Sequence, residues 1–82
     1  MKNLQVSPMM QDVPRADLFH LVRAQDVSGV SGTGVVALGT RYPNGKCTIS
    51  WLSDLSCIGV YDTLDQLIAI HGHGGNTTVE FL

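Results

Sequence analysis

The tripeptide Pro43-Asn44-Gly45 lies between two apolar, β-prone runs, Val35–Tyr42 and Lys46–Leu52, and no other feature limits the fold so sharply. Asn-Gly tolerates the positive φ values of a two-residue type I′ turn, which predicts an antiparallel hairpin. In that register Tyr42 faces Cys47, Thr40 faces Ile49 and Leu38 faces Trp51. One face then carries Val36, Leu38, Tyr42, Cys47, Ile49 and Trp51, while Arg41, Thr48 and Ser50 point the other way. A type I turn with Gly45 in a bulge suits Pro43 better but mixes the faces, so the first register is preferred.

The remaining chain reads as short elements around this hairpin. Asp17–Ala24 is a strand, short and rich in β-prone apolar residues. Ser53-Asp54 can turn the chain into another strand, Ser56–Tyr61. Thr63 and Gln66 have the spacing of a helix N-cap and its N3 partner. Leu64, Leu67, Ile68 and His71 then form one stripe at helical spacing, and Gly72 suits the C′ position, so a helix is expected over about Leu64–His71. A last strand, Thr77–Leu82, places Val79 and Phe81 inward and Thr78 and Glu80 outward. The expectation is an α+β domain over residues 17–82: a curled antiparallel sheet or partly open barrel of about five strands, with one short helix. Residues 1–16 show no period and contain Pro8 and Pro14. They read as a flexible N-terminal arm, with Val6, Met9, Met10 and Val13 apolar enough to dock on a neighbouring subunit.

Composition narrows the function classes. The formal net charge is −2, and the five Lys and Arg residues (Lys2, Arg15, Arg23, Arg41, Lys46) are scattered, which argues against double-stranded nucleic acid as a partner. No apolar run opens the chain as a secretory signal, and none approaches the roughly 18 residues of a membrane helix. Cys47 and Cys57 form neither a metal-ligand spacing nor a disulfide framework and read as reduced thiols of a cytoplasmic protein. No nucleophile elbow, closely spaced carboxylate pair or cation-flanked thiol points to catalysis, so no catalytic residue, metal or cofactor is assigned.

Two loops could hold a ligand. In Asp26–Gly34, glycines and hydroxyls alternate: Ser28, Gly29, Ser31, Gly32, Thr33 and Gly34. Converging backbone N–H groups of this kind suit phosphate or carboxylate. No Lys-Ser/Thr pair follows and a strand comes next, so the run is neither a P-loop nor a dinucleotide fingerprint; a tight bulged corner is the plainer reading. In the second loop, His71 and His73 are followed by Gly74, Gly75, Asn76 and Thr77. His71 can interact with the helix C-terminal carbonyls, or both imidazoles can contact a ligand; a metal lacks an obvious third ligand, with His20 and Asp62 the candidates. Arg23 and Arg41 read as surface charges that could also meet phosphates, beside aromatic side chains that could stack a base.

Asp26–Ala37 and His71–Gly75, with the Asn44-Gly45 turn and Trp51 between them, resemble a group of short proteins from bacteria, notably actinobacteria, and their phages. The likeness runs from about Phe19 to Phe81, and Ser28–Gly34 is its most specific part. It implies a small stand-alone domain and, through a phage origin, a counter-defence protein that acts as a homo-oligomer. Two expectations result. One is a homo-oligomeric protein whose Ser28–Gly34 and His71–Thr77 loops converge to hold an anionic small ligand such as a nucleotide signal. The other is a protein-interaction or structural module with an exposed apolar patch or sheet edge and no small-molecule pocket.

Overall fold

The computed structural model describes residues 14–24, 33–54 and 56–82. The strands are β1 (Asp17–Arg23), β2 (Gly34–Arg41), β3 (Cys47–Trp51), β4 (Ile58–Tyr61) and β5 (Thr77–Phe81), with helix α1 (Leu64–His71) between the last two. They form one open antiparallel sheet in the order β4-β3-β2-β1-β5, not closed into a barrel. Each neighbouring pair is antiparallel, so the outer strands β4 and β5 run the same way, and α1 carries the chain between the two edges.

The hairpin forms, but one residue away from the expected register. Arg41 pairs with Cys47, Gly39 with Ile49 and Ala37 with Trp51. Tyr42 N–H donates to the Lys46 carbonyl, Gly45 N–H donates to the Tyr42 carbonyl, and Gly45 has φ 90°. Pro43, Asn44 and Gly45 thus form a three-residue loop with the glycine in the left-handed bulge position. Pro43 decides this, because a two-residue turn would place it in the ladder, where it has no N–H to donate. The slip reverses the relation between the strands: Leu38 and Tyr42 are exposed, and Ala37 and Gly39 lie beside buried Cys47 and Ile49. Val36 reaches the buried side by another route. Between Leu21↔Ala37 and Val22↔Val35 the register jumps, and Val36 is the extra residue of a bulge.

The core lies on the sheet face covered by α1. Phe19, Leu21, Val36, Ala37, Ile49 and Leu67 are buried together, with Trp51, Tyr61, Leu64 and Val79 packed against them. Gly39 is required where β2 passes Phe19: a Cβ there would lie 2.3 Å from the phenyl ring. The helix starts as expected. Gln66 N–H donates to Thr63 Oγ1 at 3.0 Å, and Gln66 Oε1 accepts from Asp62 N–H at 2.7 Å, one residue before the N-cap. Its end differs. Gly72 stays right-handed, with its N–H bonded to the Ile68 carbonyl, and the positive φ values fall on His73, Gly74 and Gly75. No described helix is long and apolar enough to cross a membrane.

Candidate functional site

Inward-facing side chains of four strands and the end of α1 meet at one end of the covered face. Arg23 is the last residue of β1; it pairs with Gly34 on one side and Thr77 on the other. Its alternation with Phe19 and Leu21 turns it inward, so it is no surface charge: its relative exposure is 3%. Its Nε donates to Thr77 Oγ1 at 3.0 Å, and its guanidinium carbon lies 6.0 Å from the centroid of the Trp51 ring. Thr77 is also buried, and its N–H donates to the Gly72 carbonyl, which ties β5 to the end of the helix.

His71 completes the cluster from α1. Its ring meets Trp51 edge-on at 5.0 Å, and Nε2 is 2.8 Å from the Tyr61 hydroxyl. Tyr61 reaches it because Gly59 leaves room for the phenol, which would contact a Cβ there at 2.8 Å. Burial holds the His71 pKa below its ordinary value, and the positive charges of His73 and Arg23 lower it further. Tyr61 moves the other way, its hydroxyl pKa raised by burial and then by Cys57. The corner therefore disfavours one more proton and combines a fixed cation, a hydroxyl and three rings.

The ends of both predicted loops reach this corner. Ala24, where the chain leaves β1, donates its N–H to the Asn76 carbonyl at 2.7 Å. Gly34, where it returns, has φ 79° and faces Arg23 across the ladder. Of the candidate ligand residues, Arg23, Gly34, His71, Asn76 and Thr77 are thus brought together, with Thr33 adjoining Gly34. Exposed His73 has φ 49° and shapes the turn between α1 and β5. Ser28, Gly29, Ser31 and Gly32 lie outside the described residues, as does the segment 1–13. Arg41 does not join the cluster. It sits at the other end of β1, paired with Asp17 at 2.9 Å and stacked 4.4 Å from the Phe81 ring centroid.

His20 points to the opposite sheet face, and Asp62 is held by Lys46 at 2.8 Å, which lowers its pKa. Among the described residues no three His, Cys, Asp or Glu side chains converge as a metal site. Cys47 is buried, and burial raises its thiol pKa against the opposing influence of Arg41; Cys57 is exposed. Neither has the electropositive, accessible setting of a reactive thiol. Trp51 and Tyr61 were legible only as general aromatics. The clue to their place was His71 occupying an apolar position in the helical stripe.

The opposite sheet face carries a depression of about 360 Å³ whose lining includes Leu18, Leu38, Thr40, Ser50, Ile58 and Leu82. It is separate from the Arg23 corner, and α1 does not cover it.

No curated protein and no solved structure matches the chain. A family model described as Acb5 phage protein matches residues 16–82, which agrees with the phage part of the resemblance drawn from the sequence. The chain belongs to the Acb5 phage protein family.

Proposed function

We propose that this phage protein is a cytoplasmic counter-defence protein that binds an anionic small molecule, a nucleotide signal, at the corner formed by Arg23, Trp51, His71 and Thr77. The observation that carries the reading is the buried guanidinium of Arg23. Removing a cation from water costs several kcal/mol unless an opposite charge answers it. The ion pairs among the described residues are Arg41–Asp17 and Lys46–Asp62, and neither involves Arg23. Among the described residues it meets the Thr77 hydroxyl and the Trp51 indole face. A phosphate would supply a counter-charge and accept from the guanidinium fork, while the rings of Trp51 and Tyr61 offer a base flat apolar surface. The chain leaves the sheet at Ala24 and rejoins it at Gly34, both beside this corner. A protein of this kind acts by sequestration and needs no catalytic group.

The test is a thermal-shift panel on the full chain with linear nucleotides, cyclic nucleotides and inorganic phosphate. A ligand at a hundredfold excess over its dissociation constant stabilises the folded state by about 2.7 kcal/mol, which moves the midpoint of so small a domain by many degrees. Arg23→Gln should abolish the shift, and Arg41→Gln should preserve it. Asp26→Asn is the control for an internal counter-charge. If Asp26 already answers Arg23, that variant loses stability and gains no affinity. A flat panel would overturn the reading and leave the second one, a protein-interaction module, which the open apolar sheet face favours.

A further inference from the structure

The sheet is covered on one side only. Its five strands alternate inward and outward residues, and α1, eight residues long, answers the inward set. The outward set includes Leu18, Leu38, Ile58, Val60 and Leu82, exposed by 56%, 45%, 70%, 69% and 76%. Scattered exposed leucines need no explanation, but a contiguous apolar face on one sheet does. We infer that this open face is the contact surface for a second copy of the chain, packed sheet to sheet about a twofold axis.

Charge, relief and chain coverage select that occupant. Within the described strands Glu80, on edge strand β5, is the one acidic or basic side chain in the outward set and His20 the one imidazole, and Lys46 and Asp62, just beyond β3 and β4, neutralise each other as an ion pair. A nearly neutral face can meet itself without like-charge repulsion, while a polyanion or a strongly charged peptide finds almost no counter-charge there. The face also has matching relief. Ile58 on edge strand β4 and Leu82 just past β5 flank the depression of about 360 Å³, which Thr40, Thr48 and Ser50 help to line. A twofold axis lets these projecting side chains of each copy fill the depression of the other, as an isologous interface requires. Five strands of four to eight residues, about 4.8 Å apart, span about 450 Å² in projection, on the scale of one side of a weak, small interface before side-chain relief is counted. Finally, the family match begins at Ala16, so the shared domain contains this face and leaves the apolar N-terminal segment outside.

The inference rests on the fold and is independent of the nucleotide reading. It is tested by the mass of the full chain in sedimentation equilibrium across micromolar concentrations. The expected result is a reversible dimer whose dissociation constant rises at least tenfold in Leu38→Glu. Ile58→Glu, at an even more exposed position, should do the same and serves if the first variant folds poorly. Ile70→Glu, on the exposed side of α1, should leave the dimer intact. A monomer at every concentration, or a dimer that neither face variant weakens, overturns the inference. So does a monomer whose open face binds a hydrophobic dye only after residues 1–13 are removed, because the N-terminal segment would then be the cover. A nucleotide-binding monomer would overturn this inference while leaving the proposed function standing.

Discussion

Phe19, Leu21 and Arg23 point to one side of β1, and Leu18, His20 and Val22 to the other, with opposite outcomes. The first set is buried beneath α1; the second lies on the open face or is only partly covered. Both sets contain leucine, so apolar content does not distinguish them. The difference comes from the registers of the neighbouring strands and from where α1 lands. A half-covered sheet in a small domain concentrates its folding free energy on one side and leaves the other available for association.

The sharpest way to break that contrast is to remove the helix's anchor. Leu67 is the buried residue of α1 and is fully inaccessible. Leu67→Ala should cost about 2–5 kcal/mol, by the usual range for truncating a buried leucine, enough to unfold much of the population. Leu38→Ala on the open face should change the monomer's stability by less than about 0.5 kcal/mol. Urea unfolding of both variants in the Ile58→Glu background, where the face-to-face contact is abolished, measures the difference. Equal losses would mean that the open face also belongs to the monomer's core.

A smaller effect comes from adding atoms to the covered side. A side chain at position 39 would enter the Phe19 ring, so Gly39→Val should destabilise by about 1–3 kcal/mol through forced displacement of the phenyl group. The matched change on the other face is Ser50→Val, where the added volume meets the depression. Thermal midpoints would compare them, and a tolerated valine at position 39 would show that Phe19 can move aside.

The Arg23 corner sharpens the comparison within the covered face itself. Thr77→Val leaves the buried Arg23 Nε without its acceptor and should cost about 1–3 kcal/mol. Adding Arg23→Met should recover part of that loss, because an apolar side chain needs neither the hydroxyl nor a counter-charge. A double-mutant cycle in urea gives the coupling. If the double variant is as unstable as the sum of the single changes, Arg23 and Thr77 act independently and the polar corner is not a unit.

Much of this arrangement could be read from local chemistry. The period-two runs located the five strands, and Thr63 with Gln66 located the helix start, because those signals depend on residues close in sequence. The hairpin register went astray over Pro43. Asn-Gly favours a two-residue turn, but the missing proline N–H excludes that pairing, and a slip of one residue moves Leu38 and Tyr42 to the surface. The candidate site was legible as two loops expected to converge, but the side chains that meet where their ends come together were not. That Arg23 lies beside Thr77 depends on β5 returning next to β1, and its closeness to Trp51 depends on β2 pairing with both β1 and β3; no local pattern encodes the pairings of β1 with β2 and β5. Arg41 looked equivalent to Arg23 as a residue near a strand end, yet pairing with Asp17 at the other end of β1 separates them.

The smallest expected effect reads the covered face by pH through His71. Burial, His73 and Arg23 make its protonated form less favourable in the folded protein than in the unfolded chain, where the pKa is near 6.5. The folded pKa is the lower of the two, so between them the unfolded state binds more protons and stability rises with pH. The contribution is therefore fully present above about pH 6.5 and is lost as pH falls through the folded value. His71→Gln should flatten this slope in urea titrations between pH 5 and 8. An anion bound beside Arg23 would favour the imidazolium and raise the His71 pKa, so the same titration with saturating nucleotide should show the acid-side loss shrinking. If the slope persists in His71→Gln, the acid-sensitive group lies outside this cluster and the electropositive corner does not control the protein's response to pH.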